Sequence, residues 1–244
     1  MPILATPDQL QRIHDLIFNY LRLPLGLSTV PGSLMEANLK EVRGGDTEVL
    51  HTYDFVDVIS RSEKIGWQVK STNSATPVTW IRGKIANKEE LIKNSHASAA
   101  GLQELGDTVI DYCNHHIADS FTLYGLEEIG YSRLINFGGK FRYFEIPLIK
   151  NDGSVLFKPA NYEWKWSKQK NTVAKEQKPA LHGFHKQTQV KHWAWHGLGE
   201  NQLHFTGERL WWPDATYACS ISFAGPLASQ YVSFEALADW LATL

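Results

Sequence analysis

The stretch YDFVDVISRSEKIGWQVKST, residues 53–72, is rich in β-branched and aromatic residues on either side of a polar RSEK turn. Together with the preceding TEVLHT it reads as a β-hairpin, one strand over 47–60 and a second over 65–72. Side chains alternate across a strand, so Gln68 and Lys70 share a face of the second strand. A tight hairpin brings Asp57, near the end of the first strand, beside them. A carboxylate, an amide oxygen and an ammonium then surround one spot.

Outward from the hairpin, residues 7–22 carry Leu10, Ile13, Ile17 and Leu21 at helical spacing, with Thr6 as N-cap and Pro7 in the first turn. After a Pro/Gly-rich linker, Ser33-Leu34-Met35-Glu36 has the form of a capping box opening a helix that stops at Gly44-Gly45. TPVTWIRGKI is expected to be a third strand. Residues 88–118 read as helical, with Leu102, Leu105, Val109, Ile110, Cys113 and Ile117 on one face. Strands follow at 138–149 and 155–166, then a polar, Lys-rich and mobile WSKQKNTVAKEQKPA. Two further strands, QVKHWAWHGLG and NQLHFTGERLWW, join near Gly197 and Gly199, and VSFEALADWLATL closes the chain as an amphipathic helix. This order predicts an α+β fold, a mixed sheet flanked by helices with a β-rich C-terminal half. One domain over 1–244 is expected, with a catalytic part at 33–118 and a recognition part at 140–215.

Composition sets the bounds. The 244 residues (27.6 kDa) are 43% hydrophobic, 20% charged and 12% aromatic, a balance that excludes a disordered chain. No apolar run reaches the ~18–20 residues of a membrane span. The opening MPILATPDQLQRIHD lacks the basic start and apolar centre of a signal peptide, so no membrane association and a cytoplasmic location are expected. Two cysteines cannot form a disulfide framework, and no CxxC pair offers structural zinc. The net charge of −2 hides a split: residues 150–191 hold nine Lys against three acids, a local +6, leaving −8 elsewhere. Such asymmetry points to a polyanion partner.

The trio at the hairpin suits phosphodiester hydrolysis. Asp57 offers a hard oxygen to Mg2+, and Gln68 adds a carbonyl oxygen. Lys70 could orient or help deprotonate the attacking water and offset charge on the phosphorane. Asp54 is an alternative to Asp57 with a longer spacer; three apart on a strand, the two face opposite sides.

These residues resemble the PD-(D/E)XK nuclease motif: an acid, a spacer of roughly ten residues, then acid-any-Lys at the end of an apolar strand. The match is strict over 57–71 and looser over the helix–hairpin–strand–helix order of 33–118. Type II restriction endonucleases are the members of this size that the chain looks like. The resemblance implies a restriction-endonuclease-like fold, with Asp57 as metal-binding acid, Gln68 in the second-acid position and Lys70 as catalytic lysine. It implies Mg2+-dependent cleavage of double-stranded DNA to 5′-phosphate ends, a homodimer on palindromic sites, and a DNA methyltransferase as genetic partner. The chain departs from the pattern in having Gln68 for an acid and no Pro before the Asp. Glu36 is a further metal-ligand candidate, since some members use a glutamate from the preceding helix, but its capping box with Ser33 favours a structural role.

Contacts to DNA are expected from Ser71, Thr72 and Arg82 after the lysine, and from the basic segment. Lys165, Lys168 and Lys170 can neutralise phosphates, while Lys186, Gln187, Gln189 and Lys191 can reach base edges. The histidines at 182–204 lack a zinc pattern: His192 and His196 share a strand face, but no third ligand is evident. Two other functions stay open, a repair or nicking nuclease of the same fold and a non-catalytic β-rich binding module.

Overall fold

The computed structural model describes residues 3–24, 29–44, 54–74, 77–149, 154–172, 175–207 and 219–243. The fold is mixed α+β: two five-stranded sheets, a small hairpin and five α-helices among these residues, with a strand-rich C-terminal half. The chain divides into two compact units. The first takes residues 1–76, 123–152 and 213–244, and the second takes 77–122 and 153–212. Residues expected to form one catalytic part, 33–118, are thus shared between units, each with its own sheet.

In the first unit, helices α1 (Pro7–Arg22) and α2 (Gly32–Arg43) accompany strands β1 (Val58–Ser60), β2 (Ile65–Thr72), β4 (Glu128–Asn136), β5 (Lys140–Ile149) and β12 (Cys219–Ala224). The strand order is β1-β2-β4-β5-β12. Only β2 and β4 run parallel, with Gln68 opposite Tyr131 and Lys70 opposite Arg133. α1 forms because its apolar residues fall on one stripe and Thr6 and Gln9 close a reciprocal capping box. Its buried stripe, Ile13, Ile17 and Leu21, joins Met35 and Leu39 of α2 over Val58, Ile65, Trp67, Val69 and Tyr143 of the sheet. Each such side chain contributes about 1.5–3 kcal/mol by leaving water.

Within this core lies a buried polar network. Glu145 accepts from the Tyr143 hydroxyl (2.6 Å) and from the Ala5 N–H (2.7 Å), and its Oε2 is 3.9 Å from Nη1 of buried Arg43. Arg43 also donates to the Ile3 carbonyl and lies over the Trp67 ring.

α2 departs from the sequence expectation at its start. Pro31 is the N-cap and makes no side-chain cap bond, and the helix already runs at Gly32. Ser33 is therefore inside the first turn, where its hydroxyl is past the capping position, so Ser33 and Glu36 form no capping box. The helix does stop at Gly44, whose φ of 63° is the left-handed conformation that glycine tolerates best. Gly45 and residues 47–53 of the expected first hairpin strand lie outside the described residues, as does Trp211-Trp212-Pro213.

The second unit holds β3 (Val78–Arg82), α3 (Lys88–Ala97), α4 (Ala99–Leu123), β6 (Tyr162–Trp166), β9 (Leu181–His185), β10 (Lys191–Trp195) and β11 (Gln202–Phe205). Its sheet has the order β3-β11-β10-β9-β6. β3 pairs with β11, so the expected third strand belongs to this sheet and not to that of the hairpin. The expected helix at 88–118 is two helices, broken by extended Ser98. α4 buries Leu105, Val109, Ile110, Cys113 and Ile117. Gly106 allows the close approach of Trp164: a Cβ there would lie 2.2 Å from the indole. The strand expected over 155–166 is confined to β6, preceded by a 3-10 turn at Pro159–Asn161. The segment expected to be mobile contains an antiparallel pair, β7 (Lys170–Thr172) and β8 (Lys175–Gln177). The closing helix α5 (Phe234–Leu241), capped by Ser233, belongs to the first unit. Among the described residues no helix is long and apolar enough to cross a membrane.

Candidate functional site

β1 and β2 form the hairpin through Val58↔Trp67, Ile59↔Gly66 and Ser60↔Ile65, closed by a turn in which Lys64 has φ 53°. Asp57 continues the ladder: its N–H donates to the Trp67 carbonyl at 2.8 Å. Ile65, Trp67 and Val69 point into the core with α1 and α2, so Gln68 and Lys70 point to the opposite face. Val58 also enters that core, which turns Asp57 to the side of Gln68 and Lys70.

Asp57 Oδ2 accepts the Val69 N–H at 2.7 Å and lies 3.8 Å from Lys70 Nζ. Oδ1 has no protein hydrogen bond among the described residues. Burial pushes the Asp57 carboxyl above its ordinary range, opposed by Lys70 and the Val69 N–H. Gln68 is buried at 2% exposure. Asp54 is placed differently: it accepts a hydrogen bond from the Tyr124 hydroxyl. Of the two acids, Asp57 is the one beside Lys70.

Glu36, freed from the capping role, is half-buried on α2 and within electrostatic reach of both Asp57 and Lys70. Burial raises its pKa first, Asp57 raises it further, and Lys70 lowers it. Burial disfavours the ionised form of both carboxyls, and Asp57 adds repulsion at Glu36, so a cation bound between them would favour both carboxylates. The donors are all hard oxygens, from Asp57, Glu36 and the Gln68 amide, which is the chemistry of Mg2+. Among the described residues no three His, Cys, Asp or Glu side chains stand together as a metal-holding group. Two carboxylates and an amide would therefore need phosphate and water to complete a coordination shell.

Arg133 belongs to no motif of the sequence. It lies on β4 opposite Lys70, 1% exposed, and donates to the Thr72 hydroxyl at 3.1 Å. Leu134 next to it enters the core, so Arg133 turns to the face of Gln68 and Lys70. Its only sequence signal is an arginine in an apolar run.

The expected DNA contacts divide. Ser71 donates its hydroxyl to the Val30 carbonyl (2.5 Å) and Thr72 to the Ser74 carbonyl (2.9 Å), so both hydroxyl protons are engaged within the protein. Arg82 ends β3 in the second unit and is exposed. Lys165 is exposed, 3.4 Å from Glu163, with its ammonium over the Phe184 ring. Lys186 donates to the Ala160 carbonyl, Gln189 caps the same turn onto the Lys186 carbonyl, and Gln187 is exposed between them. Lys168 and Lys191 line a concavity on the second sheet. The Lys170 side chain lies outside the described residues. His192 and His196 do not share a site: His192 is buried between His185, Tyr162 and Phe205, whereas the His196 ring meets His204.

Comparison with known protein families, with curated proteins and with solved structures found no match to this chain.

Proposed function

We propose that this chain is a Mg2+-dependent endonuclease of double-stranded DNA, of the restriction type and with a restriction-endonuclease-like first unit. The observation that carries the reading is the hairpin geometry: Lys70 Nζ 3.8 Å from Asp57 Oδ2, on the face shared with buried Gln68. Glu36 on α2 adds a second carboxyl in electrostatic contact with that pair.

In this reading Asp57, Gln68 and Glu36 would hold the cation through oxygen. Bound Mg2+ supplies polarisation of a phosphoryl oxygen and a lowered pKa for bound water. Lys70 orients the attacking water and offsets charge as the phosphorane forms. The Val69 N–H holds Asp57 in place, which fixes the carboxylate before substrate arrives. Arg133 adds a second positive charge beside Lys70 and anchors the end of β2 through Thr72. Hydrolysis by water leaves a 5′-phosphate and a 3′-hydroxyl. A palindromic duplex site calls for a homodimer.

The test is digestion of plasmid and phage DNA with Mg2+ and with EDTA, followed by sequencing of the ends. Discrete bands with 5′-phosphates, absent in EDTA, are expected. A smear or single nicks would favour a repair or nicking role. Intact DNA with every divalent metal would leave a non-catalytic binding module.

A further inference from the structure

The second sheet has two unlike faces. Toward the core it turns Trp80, Trp164, Trp193 and Phe205, all buried. The other face carries a concavity of about 340 Å3, enough for a small ligand. Its floor is Ala194, which pairs with His182 on β9 and with His204 on β11. His196 meets His204 with ring centroids 4.6 Å apart. Lys168, Lys178 and Lys191 line it as well, Lys178 with its ammonium on the Leu198 carbonyl, and no aspartate or glutamate lines it among the described residues, although Glu200 acts electrostatically on His196 and His204.

We propose that this pocket binds one nucleotide, its phosphate held by Lys168, Lys178 and Lys191 and its base laid against the imidazoles of His182 and His204. Three ammonium groups around one concavity attract an anion and repel a cation. Phosphate is the anion that also explains the rings: a nucleotide brings a flat base, and histidine is among the side chains on which bases stack. Burial lowers the pKa of His196 and of His204, so at neutral pH these rings are uncharged surfaces and the lysines carry the phosphate. The small Ala194 side chain leaves room for the base between its flanking histidines. This gives a role to His182, His196 and His204, which the hairpin chemistry does not use. It does not rest on the nuclease reading, because the pocket lies in the other unit.

The experiment is calorimetric titration of the full chain in EDTA, where no cleavage enters the readout. The probes are dAMP, dCMP, inorganic phosphate and a short single-stranded oligonucleotide. Both mononucleotides are expected to bind more tightly than phosphate. Lys168→Ala combined with Lys191→Ala should weaken them about tenfold or more, since each lysine makes a charge-assisted contact. His204→Ala should bring nucleotide affinity down to that of phosphate. Lys168 is exposed, so Lys168→Ala alone is the control that keeps the fold. Competition between oligonucleotide and dAMP identifies a nucleotide within a strand as the natural occupant; mononucleotide binding without competition identifies a free nucleotide. Absence of binding by mononucleotides and oligonucleotide at millimolar concentrations overturns the proposal. Unchanged affinity in the double lysine variant, or equal affinity for phosphate and nucleotides, overturns it as well.

Discussion

Asp57 is pulled two ways: burial favours its protonated form, while Lys70 and the Val69 N–H favour the carboxylate. On the proposed function a bound cation would tip that balance, and loss of either partner should therefore be severe. Asp57→Ala and Lys70→Ala are each expected to lower cleavage by roughly 10²-fold or more with circular dichroism unchanged; full cutting by either removes the site. Gln68→Glu keeps an oxygen ligand and should stay active. Glu36→Gln tests the second carboxyl. Burial raises the pKa of both acids, so on the proposed function protons should compete with Mg2+ from above the ordinary carboxylate range, and the Mg2+ needed for half-maximal cutting should rise as pH falls. Glu36→Gln should raise that requirement at neutral pH and soften its pH dependence; an unchanged Mg2+ titration would place Glu36 outside the site. Asp57, Gln68 and Lys70 were legible because strand alternation and a four-residue turn are local. The S-x-x-E pattern at Ser33 and Glu36 is local too, yet it makes no capping box, because the competing start at Pro31-Gly32 wins. Arg133 was illegible, since only pairing with a strand remote in sequence sets it beside Lys70.

At the scale of elements, the Arg43–Glu145–Tyr143 network ties α2 to β5 across the core. Glu145→Ala would leave a guanidinium buried without its carboxylate, and a loss of about 3 kcal/mol is expected in denaturant unfolding. A change near zero would mean that Gln9 and the Ile3 carbonyl satisfy Arg43 unaided. In the second sheet, His192 is buried between β6 and β11 and its pKa is lowered to about 4 from 6.5. Below pH 6.5 the unfolded chain binds the proton first, so stability falls as pH drops from about 6.5 to 4, by on the order of 3 kcal/mol. His192→Phe keeps a ring at the same place and should flatten that acid limb; identical acid transitions in both proteins would refute the assignment. Helices α1 and α5 and strands β2, β10 and β11 could be read from periodicity and turn residues. β4 could not. EIGYSRLIN is buried on both faces, so it shows no alternation, and its glycine, serine and arginine obscure a strand. β3 was read correctly as a strand, yet its pairing with β11 depends on residues over a hundred positions away.

For the whole molecule, the route of the chain matters more than either sheet. It leaves the first unit after β2, builds β3, α3 and α4 of the second, and returns to lay β4 parallel to β2. It then departs again and comes back with β12 on the edge of β5. Neither unit is a continuous stretch, so cutting the chain between them cannot yield two folded halves. Residues 1–122 produced alone lack β4, β5 and β12, and are expected to show no cooperative melting; a sharp transition in that fragment would mean that the hairpin and α1–α2 suffice as a core. Sequence separation of this kind also slows folding, because loop closure comes before the contacts that reward it. On the ribosome the consequence is one of timing. The hairpin emerges early and must wait in the nascent polypeptide for β4, the strand that will lie beside Lys70, and longer still for the edge strand β12. With the activity proposed above, the cell would be spared a DNA-cutting chain until β4 had been made.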